Sequence, residues 1–160
     1  YRRQRQMCIR DRAVAYTNEG INLRKSGIKL PILILHPQFD DFDDIINYKL
    51  EPNIYSFRIL DSFLQKNTNH PFHIKFNTGL NRLGFGINDI DKLHKLLPSD
   101  SNIKFIFSHL GASEDLTEKA FTMNQINLFC NISKKSHESL DFDLDLEEIF
   151  KIFHYLLRAR

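Results

Sequence analysis

Lys75, Asn77 and Arg82 stand within ten residues of one another in the stretch HIKFNTGLNRLGF (73–85), the segment best equipped for chemistry. Alternation along an extended strand sends His73, Lys75 and Asn77 to one side, and Ile74 and Phe76 to the other. An ammonium in the middle of an apolar strand is costly unless it is paired or chemically altered. Arg82 offers a planar fork suited to a carboxylate or a phenolate oxygen. A third candidate is His109, near the end of the apolar run IKFIFSHL (103–110). Each residue also has a plainer reading. Lys75 would serve as a lysine snorkelling from a strand edge, Arg82 as a surface turn residue, and His109 as a core or capping histidine. His70 and His73 read as structural or solvent-exposed. The acid-rich FDDFDD (39–44) reads as a helix start with a solvated face, because acids favour a helix N-terminus. No metal site is expected. The two cysteines, Cys8 and Cys130, have no metal-type spacing and imply no disulfide framework, so a reduced cytosolic setting is the default.

The elements that must hold these residues follow a repeating pattern. The apolar runs AVAY (13–16), PILILH (31–36), NIYSF (53–57), FHIKFN (72–77) and IKFIFSHL (103–110) are short and rich in Ile, Val, Phe and Tyr, as buried strands are. Helical patterns separate and follow them at 19–27, 39–50, 56–66, 87–97 and 116–133, with Gly27 placed to end the first. Phe121, Gln125, Leu128 and Phe129 fall along one side of the last. Strand–helix alternation at this spacing predicts parallel βαβ units. An incomplete (β/α)8 barrel and a doubly wound sheet both fit, although no GxGxxG turn follows the first strand. Residues 134–160 read as a charged linker followed by a helix, and no sixth strand is evident. In parallel α/β folds the C-terminal strand ends carry the site, where Asn77 and the turn glycines Gly79 and Gly84 lie.

The formal net charge of +2 is unevenly spread. Residues 1–12 carry five arginines against one acid, leaving 17 of the 22 basic and 19 of the 20 acidic side chains to the rest. The body is therefore slightly acidic and gives no case for nucleic-acid binding. No apolar run is long enough to span a bilayer. The Arg-rich start has three readings: a basic arm for acidic partners, part of a targeting peptide, or translated sequencing adapter. The abrupt change to a patterned strand at Ala13 favours the last, so residues 1–12 are set apart from the fold.

Several blocks together resemble the alanine racemase family. KFNTGLNRLGF (75–85) is similar to the segment K-x-[DN]-T-G-M-x-R-L-G-F, and AVAYTNEGINLRKSGIKLPILIL (13–35) to A-V-A-x-x-x-E-G-x-x-L-R-x-x-G-I-x-x-P-I-L-V-L. EPNIYS (51–56) resembles the third block. FSHLGASED (107–115) resembles F-S-H-L-A-x-S-D/E, followed by F-x-x-x-Q-x-x-x-F at Phe121, Gln125 and Phe129. The resemblance covers about residues 13–133 and implies a partial (β/α)8 barrel of about five βα units, truncated at both ends. It implies pyridoxal 5'-phosphate as cofactor, interconversion of L-alanine and D-alanine for peptidoglycan precursors in the bacterial cytoplasm, and a homodimeric parent.

Carried over by position, Lys75 matches a lysine that is often carbamylated, which would turn a buried cation into an anion able to pair with Arg82. Arg82 matches the arginine that contacts the cofactor phenolate and helps place the substrate carboxylate. His109 matches a histidine beside the pyridine ring. The resemblance thus makes Lys75 and Arg82 catalytic candidates, and Arg82 and His109 cofactor-binding ones. Leu80 stands where Met is common, and Gly111 where Ala is common. The block V-K-A-x-A-Y-G-H-G, which carries the cofactor-binding lysine, does not occur in these 160 residues. Nor do the phosphate-binding loops, the pyridine-nitrogen arginine or the tyrosine of the C-terminal β-domain. The chain alone is expected to be inactive. Alternative readings are a non-catalytic racemase-like domain of a longer, ligase-fused protein, and a pyridoxal-phosphate carrier barrel.

Overall fold

The computed structural model describes residues 12–66, 69–112 and 115–140. Five short parallel strands alternate with five helices: β1 (Arg12–Val14), α1 (Thr17–Lys25), β2 (Ile32–Ile34), α2 (Phe42–Asn47), β3 (Glu51–Ile54), α3 (Phe57–Leu64), β4 (Phe72–Lys75), α4 (Ile90–Leu96), β5 (Ile103–Phe107) and α5 (Lys119–Leu140). The strands lie side by side in chain order, β1-β2-β3-β4-β5, all parallel. A doubly wound sheet would reverse direction at a switch point. Strictly sequential order is that of a (β/α)8 barrel wall, here five βα units of it.

The strand register sorts side chains onto two faces. Ile34 lies beside Pro52, Ile54 beside Ile74, and Ile74 beside Ile106. Ile32, Ile34, Ile54, Phe72, Ile74, Phe76 and Ile106 are fully or almost fully buried and join the apolar sides of the helices in one core with Phe42, Ile45, Leu60, Phe63 and Leu93. The alternate positions form the inner face: Leu33 beside Glu51, Asn53 beside His73, His73 beside Phe105, and Lys75 beside Phe107. One face is thus aliphatic and aromatic, and the other carries a polar strip between Leu33 and Phe105.

Local signals explain where the elements stop. Ser56 caps α3 by accepting a hydrogen bond from the Ile59 amide at 3.4 Å. Gly27, with φ of 92°, takes the left-handed conformation just past α1. Arg24, in the last turn of α1, reaches across to four backbone carbonyls. These belong to Ile28, Leu30, Tyr48 and Lys49, at 2.6 to 3.0 Å, and they tie α1 to the turn before β2 and the turn before β3.

Two expectations change. Residues 134–140 are not a linker but the continuation of α5. Phe129, Ile132, Ser133 and Ser136 are buried at helical spacing, and Lys135 pairs with Asp91 of α4 at 2.9 Å, so tertiary packing sustains the helix through the charged stretch. The first strand begins at Arg12, whose amide donates to Pro31 O at 3.1 Å, rather than at Ala13. Residues 1–11 and the predicted helix within 141–160 lie outside the described residues.

The segment after β4 doubles back on its own strand. Phe85 N donates to Lys75 O at 2.9 Å and Asn77 N to Phe85 O at 2.8 Å, so the excursion 77–85 closes at its base. Gly84 makes this possible. Its φ is 124°, and a Cβ there would lie 2.7 Å from both Asn77 N and the Phe76 carbonyl carbon. Gly84→Ala is therefore expected to destabilise the chain by about 3 kcal/mol, through backbone strain and the lost closure. Chemical denaturation of wild-type and variant chains checks this, and equal midpoints would refute it.

Candidate functional site

Lys75 is the last residue of β4, 7% exposed, with its ammonium 6.0 Å from the centre of the Phe107 ring. Among the described residues it has no carboxylate within ion-pair distance. Arg82 is exposed on the closed excursion, close enough for its charge to act on Lys75. Burial first, and Arg82 second, hold the Lys75 amine below its ordinary pKa.

Asn77 fixes the excursion. Its Oδ1 accepts from the amides of Gly79 and Asn81, each at 3.0 Å, and its Nδ2 donates to Asn81 Oδ1 at 2.9 Å. Asn81 itself takes a left-handed φ of 53°, a conformation asparagine tolerates. A buried polar chain supports the far side. Ser108 donates to Phe76 O at 2.8 Å and shares a hydrogen bond with the Thr78 hydroxyl at 2.8 Å. Gln125 of α5, 1% exposed, donates to Thr78 Oγ1 at 3.4 Å and to His109 O at 3.3 Å, and accepts from Gly111 N at 2.9 Å. A side chain placed by sequence on an apolar stripe thus joins the loops after β4 and β5.

His109 follows β5 and is exposed. Its imidazole, partly desolvated by its neighbours although the residue as a whole is exposed, is held below the ordinary value by that desolvation first, then by the charges of Lys75 and Arg82. The three residues singled out by sequence therefore meet electrostatically at the C-terminal strand ends. Sequence reasoning missed His36 and Tyr55 there. His36, after β2, lies between the rings of Tyr16 at 6.2 Å and Tyr55 at 6.3 Å, and its pKa is lowered by burial, Lys75 and Arg82. Tyr55 donates to Pro37 O at 3.2 Å, and burial pushes its phenol up. The signal was their position just past strand ends.

Beneath this mouth, His73 is not solvent-exposed. It is 4% exposed, bonded through Nε2 to Glu51 at 2.8 Å and stacked on Phe105 with ring centres 5.4 Å apart. His70 packs against Phe63 and bonds Leu50 O at 2.6 Å, a structural role. The result is a two-cation mouth with two largely neutral imidazoles, suited to an anionic, flat ligand.

A family model of the alanine racemase N-terminal domain matches residues 3–145. The chain belongs to the alanine racemase family. The alanine racemase of Rickettsia bellii is 40% identical over 124 residues, covering 72% of this chain and 30% of that protein. Alanine racemase 1 of Clostridium acetobutylicum is 35% identical over 127 residues, covering 73% and 32%. The solved alanine racemase of Clostridium difficile 630 in complex with cycloserine superposes with a TM-score of 0.71 at 28% identity, over 81% of this chain and 37% of that one. The enzyme from E. faecalis gives 0.68 at 26% identity, over 77% and 35%. The chain thus spans about a third of the length of the relatives it matches. Among the described residues, no helix is long and apolar enough to cross a membrane.

The electrostatic arrangement has a signed consequence. Both imidazoles titrate below the unfolded value of about 6.5, so on acidification the unfolded chain takes protons first and stability falls below that pH. Arg82→Gln removes one of the depressing charges. The pKa values of His36 and His109 are expected to rise in the variant while staying below the unfolded value, because burial persists. Titration of the imidazole resonances by NMR checks this; unchanged values would separate Arg82 from the cluster.

Proposed function

We propose that this chain is part of the barrel of a pyridoxal-phosphate-dependent alanine racemase and forms the Lys75–Arg82–His109 edge of its site. The observation that carries the reading is the pair of cations at the strand ends with, among the described residues, no carboxylate in ion-pair distance of either. When bound, pyridoxal phosphate supplies an electron sink that stabilises negative charge at the amino acid α-carbon. The residues present fit its anionic edge. Arg82 would hold the phenolate oxygen and orient the substrate carboxylate, and the near-neutral His109 ring would lie beside the pyridine without adding repulsion to the two cations. The parent protein would interconvert L-alanine and D-alanine as a homodimer, supplying peptidoglycan precursors in the bacterial cytoplasm. Such a racemase needs an acid/base group on each face of the α-carbon.

Lys75 would act after modification. Its depressed pKa enlarges the neutral amine fraction, which is the nucleophile. The nitrogen lone pair attacks the carbon of CO2, a C–O π pair moves onto oxygen, and one N–H proton leaves to solvent. The product is a carbamate anion in place of an ammonium. It would pair with Arg82 and hold that guanidinium toward the ligand, replacing cation–cation repulsion with a charge-assisted hydrogen bond.

Two measurements test this. In mildly alkaline buffer with 13C-bicarbonate, the chain should show a carbamate carbon resonance that is lost in Lys75→Arg; a spectrum unchanged by that substitution would remove the assigned role of Lys75. Pyridoxal phosphate followed by borohydride should leave no stoichiometric adduct, because the family's cofactor-lysine block does not occur in this sequence. A single adduct mapped to Lys75 would overturn the division of roles.

A further inference from the structure

Asn53 holds the inner face of β3, fully buried, with its Oδ1 lacking any hydrogen-bond partner. Its amide orientation is settled by chemistry, because Nδ2 donates to Leu35 O at 3.0 Å and a carbonyl can only accept. Oδ1 is therefore the unsatisfied atom. An unmet buried acceptor costs roughly 1–3 kcal/mol, so proteins rarely keep one without a donor nearby. Asn53 pairs in register with His73, and Lys75 is the next residue of β4 on the same face. Lys75 has the complementary deficit: three N–H donors, 7% exposure and, among the described residues, no hydrogen-bond or ion-pair partner, its ammonium lying 6.0 Å from the centre of the Phe107 ring. His73 already spends Nε2 on Glu51.

We infer that Asn53 is a positioning residue for Lys75, its Oδ1 taking a hydrogen from the Lys75 nitrogen through one enclosed water. No direct bond joins them, and the site is polar enough to hold a water, with Asn53 Oδ1 and Lys75 Nζ as partners and the second ring nitrogen of His73 on the same face. Because Asn53 lies level with His73, one inner-face position below Lys75, the bridge holds the lysine nitrogen over the inner face of the strands rather than letting the side chain swing out of the mouth. In the form described under the proposed function, and resting on that reading, the carbamate keeps one N–H. Asn53 then accepts from that N–H, leaving both carbamate oxygens for Arg82. The amide thus sets which way the modified side chain faces.

The groups facing Lys75 are His36 from the end of β2, Glu51 (through His73) and Tyr55 from β3 and its end, Arg82 from the excursion, and Phe107 and His109 from β5 and its end. The experiment titrates Lys75 through its 13Cε resonance in the full chain, assigned by its loss in Lys75→Arg. Asn53→Asp places an anion at the acceptor and should raise the Lys75 pKa by about one unit. Asn53→Leu removes the acceptor and should lower it further. Circular dichroism confirms that each variant is folded, and Asn53→Asp, close to isosteric, keeps the test decisive if the leucine does not fold. Unchanged Lys75 titration in a folded Asn53→Asp would overturn the inference, as would a shift confined to His73, which would make that ring the true donor. This readout needs neither CO2 nor cofactor. A missing carbamate signal would therefore sink the proposed role of Lys75 while leaving the Asn53 contact standing.

Discussion

The cost of keeping the Lys75 ammonium buried beside Arg82 organises this part of the molecule. An isolated charge in such a place would ordinarily be neutralised, paired or removed. Here it is retained at the end of β4, against an aromatic ring and near a second cation. Two histidines within the field of that pair respond by staying neutral more readily. A cluster of this sign attracts anions, and its repulsion is relieved when the lysine gives up its proton, as its lowered pKa favours, or when an anion comes to lie beside the pair.

Holding two like charges near each other demands a stiff support, and the surrounding hydrogen bonds supply one. Asn77 locks the near side of the excursion, the Lys75–Phe85–Asn77 backbone bonds close its base, and Gly84 provides the conformation that closure requires. On the far side, the Ser108–Thr78–Gln125 chain ties the loop after β4 to the loop after β5 and to α5. Because these groups are mostly buried and mutually satisfied, loosening one leaves polar atoms without partners, which makes the scaffold cooperative. Lower in the barrel wall, the His73–Glu51 pair continues the polar strip among neighbouring apolar residues.

The chain order of elements was legible because period-two and period-3.6 patterns are imposed by burial, and burial is what Ile32, Ile74, Phe63 and Leu93 do. The expected strands, however, ran past their true ends, to residues 16, 36, 57, 77 and 110, whereas the strands stop at Val14, Ile34, Ile54, Lys75 and Phe107. The overrun has a physical source. The residues just beyond a strand end line the mouth, so they remain apolar or aromatic without being paired in the sheet. Tyr16, His36 and Tyr55 were hidden in that overrun. Barrel and open sheet could not be separated by periodicity, because strand neighbours are set by long-range packing. Lys75, Arg82 and His109 came from the family resemblance rather than from their types, each of which has an ordinary surface or core reading. Gln125, Asn53 and Arg24 were misjudged or unremarked because their value lies in partners distant in sequence.

The two departures from the family pattern meet in space. A Cβ on Gly111 would approach Leu80 Cδ1 at 3.4 Å and Phe121 Cε1 at 3.2 Å, tighter than ordinary packing. Leucine branches one atom earlier than the unbranched methionine common at position 80, and so crowds the region nearer its own backbone. Losing a methyl at 111 offsets that crowding while leaving the Gly111 amide free to reach Gln125 at 2.9 Å. Leucine for methionine is itself close to volume-neutral and differs in shape, so it is the space left at Gly111 that eases the contact, and the Gly111–Gln125 bond carries the loop behind His109. The filling behind the loops thus departs from the family pattern at two positions while Gln125 still ties the loops after β4 and β5 together.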